Sequence, residues 1–289
     1  MAYQPDERTA AFLLSDEALP YLEQAAAFSL TPASSLANLA RLRANLPPEL
    51  AAAVLEQATL RQKAATKFDR AAQMLFTSDA LQQASGQLPA RHRARRFAGL
   101  RVADLTCGIG GDSIAIAEVA ILTLAIERDP IRLRFARHNL AVYDLAAHFI
   151  QADALQPPFD ISRVDAVFAD PGRRSESGRI FAPRDYQPPL DALYQRYGSR
   201  NLALKVAPGI DYAALDWPSE VEIISVSGEV KEAVLWLGEL AGYPPPPLGE
   251  AGRRSNTPPP KGGAGWGSNT PPPLGEAGRR SNTPPPKGE

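Results

Sequence analysis

Between Leu100 and Leu240, short β-branched or apolar runs alternate with segments of helical periodicity. The runs are Arg101–Leu105, Ile121–Ile126, Ala147–Ile150, Val164–Ala169, Leu202–Val206, Val221–Val226 and Ala233–Leu237. Strands separated by helices predict a mainly parallel α/β sheet covered on both faces. Such sheets take ligands at the carboxyl ends of their strands. Up to about Phe97 the punctuation is helical instead. Thr31 before Pro32 suits an N-cap and first helical position, and Thr77/Ser78 and Gly86 bracket a short helix. Pro47-Pro48 opens another helix, on which Leu50, Ala53, Val54 and Ala58 share a face. From Pro244 onward nearly half of the residues are Pro or Gly, and the segment Pro245–Gly262 recurs unchanged as Pro271–Gly288. Two such copies have no hydrophobic face to stack, so a disordered tail is predicted. The expected organisation is a helical N-terminal domain over 1–97, the sheet domain over 98–241 and the repetitive tail over 242–289.

Composition narrows the function classes. The 289 residues are 44% hydrophobic, ample for a packed core. A single cysteine, Cys107, cannot form an internal disulfide, and the three histidines (His92, His138, His148) show no zinc-ligand spacing, so no metal is expected. The start lacks a basic, apolar leader, and the longest apolar stretch, Ile114–Ile126, is too short for a bilayer and contains Glu118. A soluble, cytoplasmic protein is expected, with no membrane partner. With 31 Lys+Arg against 32 Asp+Glu, any nucleic-acid site must come from local clusters.

The first strand runs into Asp104-Leu105-Thr106-Cys107-Gly108-Ile109-Gly110-Gly111-Asp112. Glycines here permit a tight turn and let a ligand approach the backbone. A dinucleotide fingerprint would read Gly108, Gly110 and Ser113 with Glu127 downstream, a loose match. Asp104 argues against it, because a carboxylate at the strand end repels a pyrophosphate. S-adenosyl-L-methionine has no phosphate and presents an ammonium and a sulfonium. Glu127, ending the second strand, can accept both ribose hydroxyls, and Asp153, after the third, can accept the adenine amino group. The expected cofactor set is Asp104, Cys107, Gly108, Gly110, Glu127 and Asp153, with Cys107 read as a small packing residue of the loop rather than a nucleophile. The fourth strand ends in Asp170-Pro171-Gly172-Arg173-Arg174. Amino-methylating enzymes carry a short acceptor-Pro-Pro-aromatic segment there, so Asp170 and Pro171 are the expected catalytic pair. Arg173 and Arg174, with Arg93, Arg95 and Arg96 from the basic run ahead of the sheet, are the expected RNA contacts.

These residues resemble a family. The segment from about Lys67 to Arg173 is similar to class I S-adenosylmethionine-dependent methyltransferases. Within these it resembles the trimethylguanosine synthases, RNA cap guanine 2-amino methyltransferases, and their prokaryotic relatives with a helical N-terminal domain and a THUMP-like C-terminal domain. The resemblance rests on Asp104–Gly111, on Ala125-Ile126-Glu127-Arg128-Asp129-Pro130 with Ala136-Arg137-His138-Asn139, on Asp153 and, more weakly, on Lys67-Phe68-Asp69. It implies a Rossmann-like seven-stranded methyltransferase sheet, S-adenosyl-L-methionine as cofactor, and methylation of an exocyclic amine of an RNA base, guanine favoured. Where the cap enzymes carry Ser-Pro-Pro-Trp, this chain has Asp170-Pro171-Gly172-Arg173. That departure keeps open a protein or small-molecule acceptor, or a non-catalytic protein that binds RNA or a partner. Oligomeric state is not legible.

Overall fold

The computed structural model describes residues 5–173, 182–242 and 251–255. Six helices precede the sheet: α1 (Glu7–Leu13), α2 (Leu19–Ala26), α3 (Ser35–Arg43), α4 (Pro48–Ala64), α5 (Ser78–Gln83) and α6 (Gln87–Ala94). Their starts follow the local chemistry. Thr31 and Ser34 form a reciprocal capping box ahead of α3, Pro48 opens α4, and the Thr77 hydroxyl accepts the Ala80 N–H at the start of α5. On α4, Leu50, Ala53, Val54 and Ala58 are buried as the periodicity predicts. The helix stops at Ala64, ahead of Lys67 and Arg70.

The sheet is built from β1 (Arg101–Asp104), β2 (Leu122–Glu127), β3 (His148–Gln151), β4 (Ala166–Ala169), β7 (Asn201–Val206), β8 (Glu220–Val226) and β9 (Glu229–Leu237). All seven expected runs are strands. Between β4 and β7 a two-stranded ribbon, β5 (Gly172–Arg173) with β6 (Tyr186–Gln187), stands apart. The strand order is β8-β9-β7-β4-β1-β2-β3. Strands β3, β2, β1, β4 and β7 are parallel, and β9 inserts antiparallel between β7 and β8. A further strand, β10 (Ala251–Ser255), lies antiparallel on β8. That stretch of the expected disordered tail therefore has sheet backbone; residues 243–250 and 256–289 lie outside the described residues.

Helices α7 (Gly111–Ala117), α8 (Pro130–Val142) and α9 (Leu190–Tyr197) cover the sheet. The two faces bury different cores, as period-two alternation requires. Val102, Phe168, Ala203, Val234 and Trp236 pack with Ala115 and Ile116 of α7 and Ala90 and Ala94 of α6. Ala103, Val167, Leu202, Leu204 and Leu235 pack with Leu190, Leu193 and Tyr197 of α9. The N-terminal helices share a core with the sheet domain: Leu50, Val54, Phe68 and Leu75 cluster with Ile109, Ile114, Phe135 and Leu140. Asn139 of α8 joins the two parts. Its amide donates to the carbonyls of Leu75 and Ile109 at 2.9 Å and accepts the Leu75 N–H at 2.8 Å.

Candidate active site

The carboxyl ends of β1, β2, β3 and β4 open into a cavity of about 1300 Å³. The loop after β1 gives it a floor of backbone. Gly108 sits at φ +56°, and no atom lies within 4 Å of the place a Cβ would take. Gly110, at φ +90°, faces the other way. A Cβ there would stand 2.8 Å from Leu140 Cδ1 and 3.3 Å from Ala136 Cα, so this glycine lets the loop press against α8. Glu127, at the end of β2, holds the loop in place. Its two carboxylate oxygens accept the N–H groups of Gly108 and Asp129, each at 3.0 Å. Asp129 in turn caps α8 through the N–H groups of Ile131 and Arg132. Asp153 lies on the cavity wall after β3 and accepts the Leu155 N–H at 2.8 Å.

At the end of β4, the Asp170 N–H donates to Thr106 Oγ1 at 2.7 Å, which ties this strand end to the β1 loop. The Asp170 carboxylate accepts a hydrogen bond from Lys205 Nζ at 2.5 Å. Lys205 comes from β7, is 7% exposed, and also lies 4.0 Å from Asp112 Oδ2. Burial raises the pKa of the Asp170 carboxyl from its ordinary value, with the Lys205 ammonium the main opposing influence. Asp112 meets the same desolvation, yet the Arg93 and Lys205 charges carry it below its ordinary value. Asp112, Glu127, Asp153 and Asp170 all line the cavity. With Asp79 and Asp185 the lining carries six carboxylates against Arg128, Arg132 and Arg184, an acidic balance that suits a cationic ligand and opposes a pyrophosphate.

Asp104 does not share in that lining. It is fully buried on the α7 face of β1, where it accepts the Ser113 hydroxyl at 2.5 Å and the Thr106 N–H at 3.3 Å. Strand alternation turns it away from the ligand, and its role is to hold the loop against α7. Desolvation pushes its pKa up to about 8 from an ordinary 3.8. Across that window the folded chain keeps a proton that the unfolded chain has released. The stabilising contribution is thus full below about pH 4 and is lost as pH rises through about 8. Asp104→Asn imitates the protonated form. Urea melts at about pH 5 and about pH 9 are expected to show the variant gaining on the wild type as pH rises; a constant gap would mean that Asp104 keeps its charge.

Known proteins share parts of this sequence and of this fold. A family profile described as RNA cap guanine-N2 methyltransferase matches residues 100–171, and a domain of unknown function matches residues 6–64. Two curated Mycobacterium tuberculosis proteins, from strains CDC 1551 and H37Rv, are described as uncharacterized S-adenosylmethionine-dependent methyltransferases. Each is 43% identical over 198 residues, which covers 65% of this chain and 54% of the relative. The chain thus spans about half the length of the curated relatives it matches. A solved structure from Porphyromonas gingivalis W83, assigned as a methyltransferase, superposes with a TM-score of 0.63 at 26% identity, covering 85% of this chain and 61% of that one. The sheet is a class I methyltransferase fold.

Within this methyltransferase core the structure brings Gly108, Glu127, Asp153 and Asp170 to one cavity, with Cys107 also on its lining. Cys107 is 5% exposed and packs with Ala125, Leu133 and Ala136, and burial raises its thiol well above the ordinary value. It is a packing residue. Pro171 is buried beside Asp170. The expected basic RNA rim does not survive intact. Arg93 is 2% exposed and pairs with Asp112 and Glu232. Arg96 is 4% exposed and pairs with Glu220 at 2.7 Å and Glu222 at 3.3 Å while its guanidinium stacks 4.3 Å from the Trp236 ring centre. Carboxylates from β8, β9 and α7 neutralise both arginines inside the fold, so neither reaches a phosphate. Arg95 is exposed. For Arg173 only the backbone in β5 is described, and Arg174 lies outside the described residues.

Three features went unread in the sequence. Lys205 is the first, although a charge in the middle of the apolar run Leu202–Val206 was its signal. The second is the wall supplied by α5, where Asp79 and Gln83 line the cavity. Lys67 fixes that wall by donating to the carbonyls of Leu81 and Ala84, both at 2.8 Å. The third is a pair of arginines, Arg128 and Arg132, on the cavity lining, which Arg184 shares. Among the described residues, no cluster of metal-ligand type occurs, and no helix is long and apolar enough to cross a membrane.

Proposed function

We propose that the protein is an S-adenosyl-L-methionine-dependent methyltransferase that modifies an exocyclic amine of an RNA base, with guanine the favoured base. The observation that carries this reading is that Asp170, a hydrogen-bond acceptor, lines the same cavity as Gly108 and Glu127. The match of residues 100–171 to the cap guanine-N2 methyltransferase profile favours an amine on guanine. Arg128, Arg132 and Arg184 on the lining, and Arg95 at an exposed position, are cations that support a phosphate-bearing acceptor.

The residues present fit the cofactor. Glu127 has a lone pair left on each carboxylate oxygen for ribose hydroxyls, Asp153 offers an acceptor for the adenine amine, and the open face of Gly108 admits a ligand against the backbone. When bound, S-adenosyl-L-methionine supplies an electrophilic methyl on a sulfonium. Asp170 accepts an N–H of the target amine and so aims the nitrogen lone pair. The Thr106 hydroxyl fixes the Asp170 backbone, and α5 forms one side of the cavity. The rate gain expected of such a site is proximity and alignment.

Losing a charge-assisted hydrogen bond costs about 1.5–3 kcal/mol, so Glu127→Ala is expected to weaken S-adenosyl-L-methionine binding roughly ten- to hundredfold in a calorimetric titration. The substrate assignment is tested by incubating the protein with methyl-labelled cofactor and total RNA, then separating nucleosides. Label in an N2-methylated guanosine supports it. Label in protein or small molecules, or none, opposes it.

A further inference from the structure

The transfer site contains a buried chain of alternating charge that the proposed reaction has not yet used. Glu232 on β9 pairs with Arg93 on α6, Arg93 with Asp112 on α7, and Asp112 lies 4.0 Å from Lys205 on β7, whose ammonium donates to Asp170 at 2.5 Å. Only the Asp170 and Asp112 end opens on the cavity. Ser85 closes the other end by donating to Glu232 at 2.7 Å. Lys205 is 7% exposed on a strand whose neighbours Ala203, Leu204 and Val206 are buried and apolar. A lysine is costly to bury unless its charge is met, and here two carboxylates meet it.

We propose that Lys205 is a positioning residue of the transfer site. Its ammonium, steadied by Asp112, holds Asp170 as an anion that can only accept hydrogen bonds, so the site selects acceptors presenting a neutral N–H. This inference rests on the methyltransferase reading above. The geometry gives the reason. A protonated Asp170 would carry an O–H donor and compete for the amine lone pair that must attack the methyl. The charges facing Asp170 are Lys205 from β7 and Arg93 from α6, which favour its anion, and Asp112 from α7, which opposes it; Asp104 from β1, protonated at neutral pH, adds its opposition only as it ionises near pH 8. Lys205 lies nearest, and burial would otherwise return the proton.

The test is an infrared titration in which each protein is compared with its Asp170→Asn counterpart, isolating the Asp170 carboxyl stretch. Wild type and Lys205→Arg are expected to show a carboxylate at neutral pH. Lys205→Met is expected to show a protonated carboxyl that ionises only as pH is raised. A protonated Asp170 in the wild type, or a carboxylate at neutral pH in Lys205→Met, would overturn the proposal; the wild-type comparison decides even where Lys205→Met does not fold. In parallel, methyl transfer to total RNA by Lys205→Met is expected to fall at neutral pH and recover about tenfold per pH unit up to the Asp170 pKa, while cofactor affinity stays at the wild-type level and Lys205→Arg restores the wild-type profile. A pH-independent loss would assign Lys205 a merely structural role and overturn the proposal. A wild type that transfers nothing to RNA defeats the substrate reading alone, since the infrared titration still decides the role of Lys205.

Discussion

Asp170→Ala is expected to lower methyl transfer by at least about a hundredfold while leaving S-adenosyl-L-methionine affinity within a fewfold of the wild type. The expectation follows from position. Asp170 follows β4 and Glu127 ends β2, on either side of β1, so in the proposed reaction Asp170 meets the acceptor rather than the ribose or adenine of the cofactor. A side chain that acts by aligning the amine contributes to the transition state and little to cofactor binding. The alanine also leaves the buried Lys205 with only Asp112, at 4.0 Å, so Asp170→Asn serves as the companion variant that keeps the shape and a hydrogen-bond acceptor. Single-turnover transfer and calorimetry on both variants separate the effects. Transfer at the wild-type rate by Asp170→Ala would place the acceptor elsewhere in the cavity.

The second large effect concerns an arginine that the sequence places on an RNA-facing rim and the structure places in the interior. Arg93 pairs with Asp112 and Glu232, and its guanidinium lies 5.7 Å from the Phe168 ring centre. Removing one partner of a buried ion pair costs about 3–5 kcal/mol, because the abandoned charge stays desolvated. Arg93→Met is therefore expected to lower the melting temperature by roughly 6–20 °C, whereas Arg95→Met, at an exposed position, should stay within about 0.5 kcal/mol of the wild type. The salt dependence of RNA binding is expected to be insensitive to Arg93. An Arg93→Met protein with wild-type stability and a flatter salt slope would restore the rim and contradict the packing described here.

The contrast between Arg93 and Glu127 shows what the sequence makes legible. Glu127 ends an apolar run and precedes Asp129-Pro130, a helix start, so its place at a strand end follows from local pattern alone. The seven strands were legible for the same reason. A run such as Arg91–Arg96 states its charge but not its partners, which come from Glu118 for Arg91, from Asp112 and Glu232 for Arg93, and from Glu220 and Glu222 for Arg96. Asp104 illustrates a subtler limit. Its strand-end position is correct, but which face of β1 it occupies depends on α7, and burial there makes it a loop anchor. The β5–β6 ribbon is not legible because two-residue strands carry almost no periodic signal, whereas the caps at Thr77/Ser78 announce α5 but not that it walls the cavity. Lys205 was missed although its signal was present: a lone charge inside a buried parallel strand asks for a partner at the strand end, and Asp170 supplies it.

The central claim is that this cavity holds S-adenosyl-L-methionine and not a dinucleotide. Isothermal titration of the wild-type protein with S-adenosyl-L-methionine and, separately, with NAD tests it most directly. The acidic lining and the open face of Gly108 lead to the expectation of a single saturable site for S-adenosyl-L-methionine and no measurable heat from NAD. No binding of S-adenosyl-L-methionine, or tighter binding of NAD, would contradict the account.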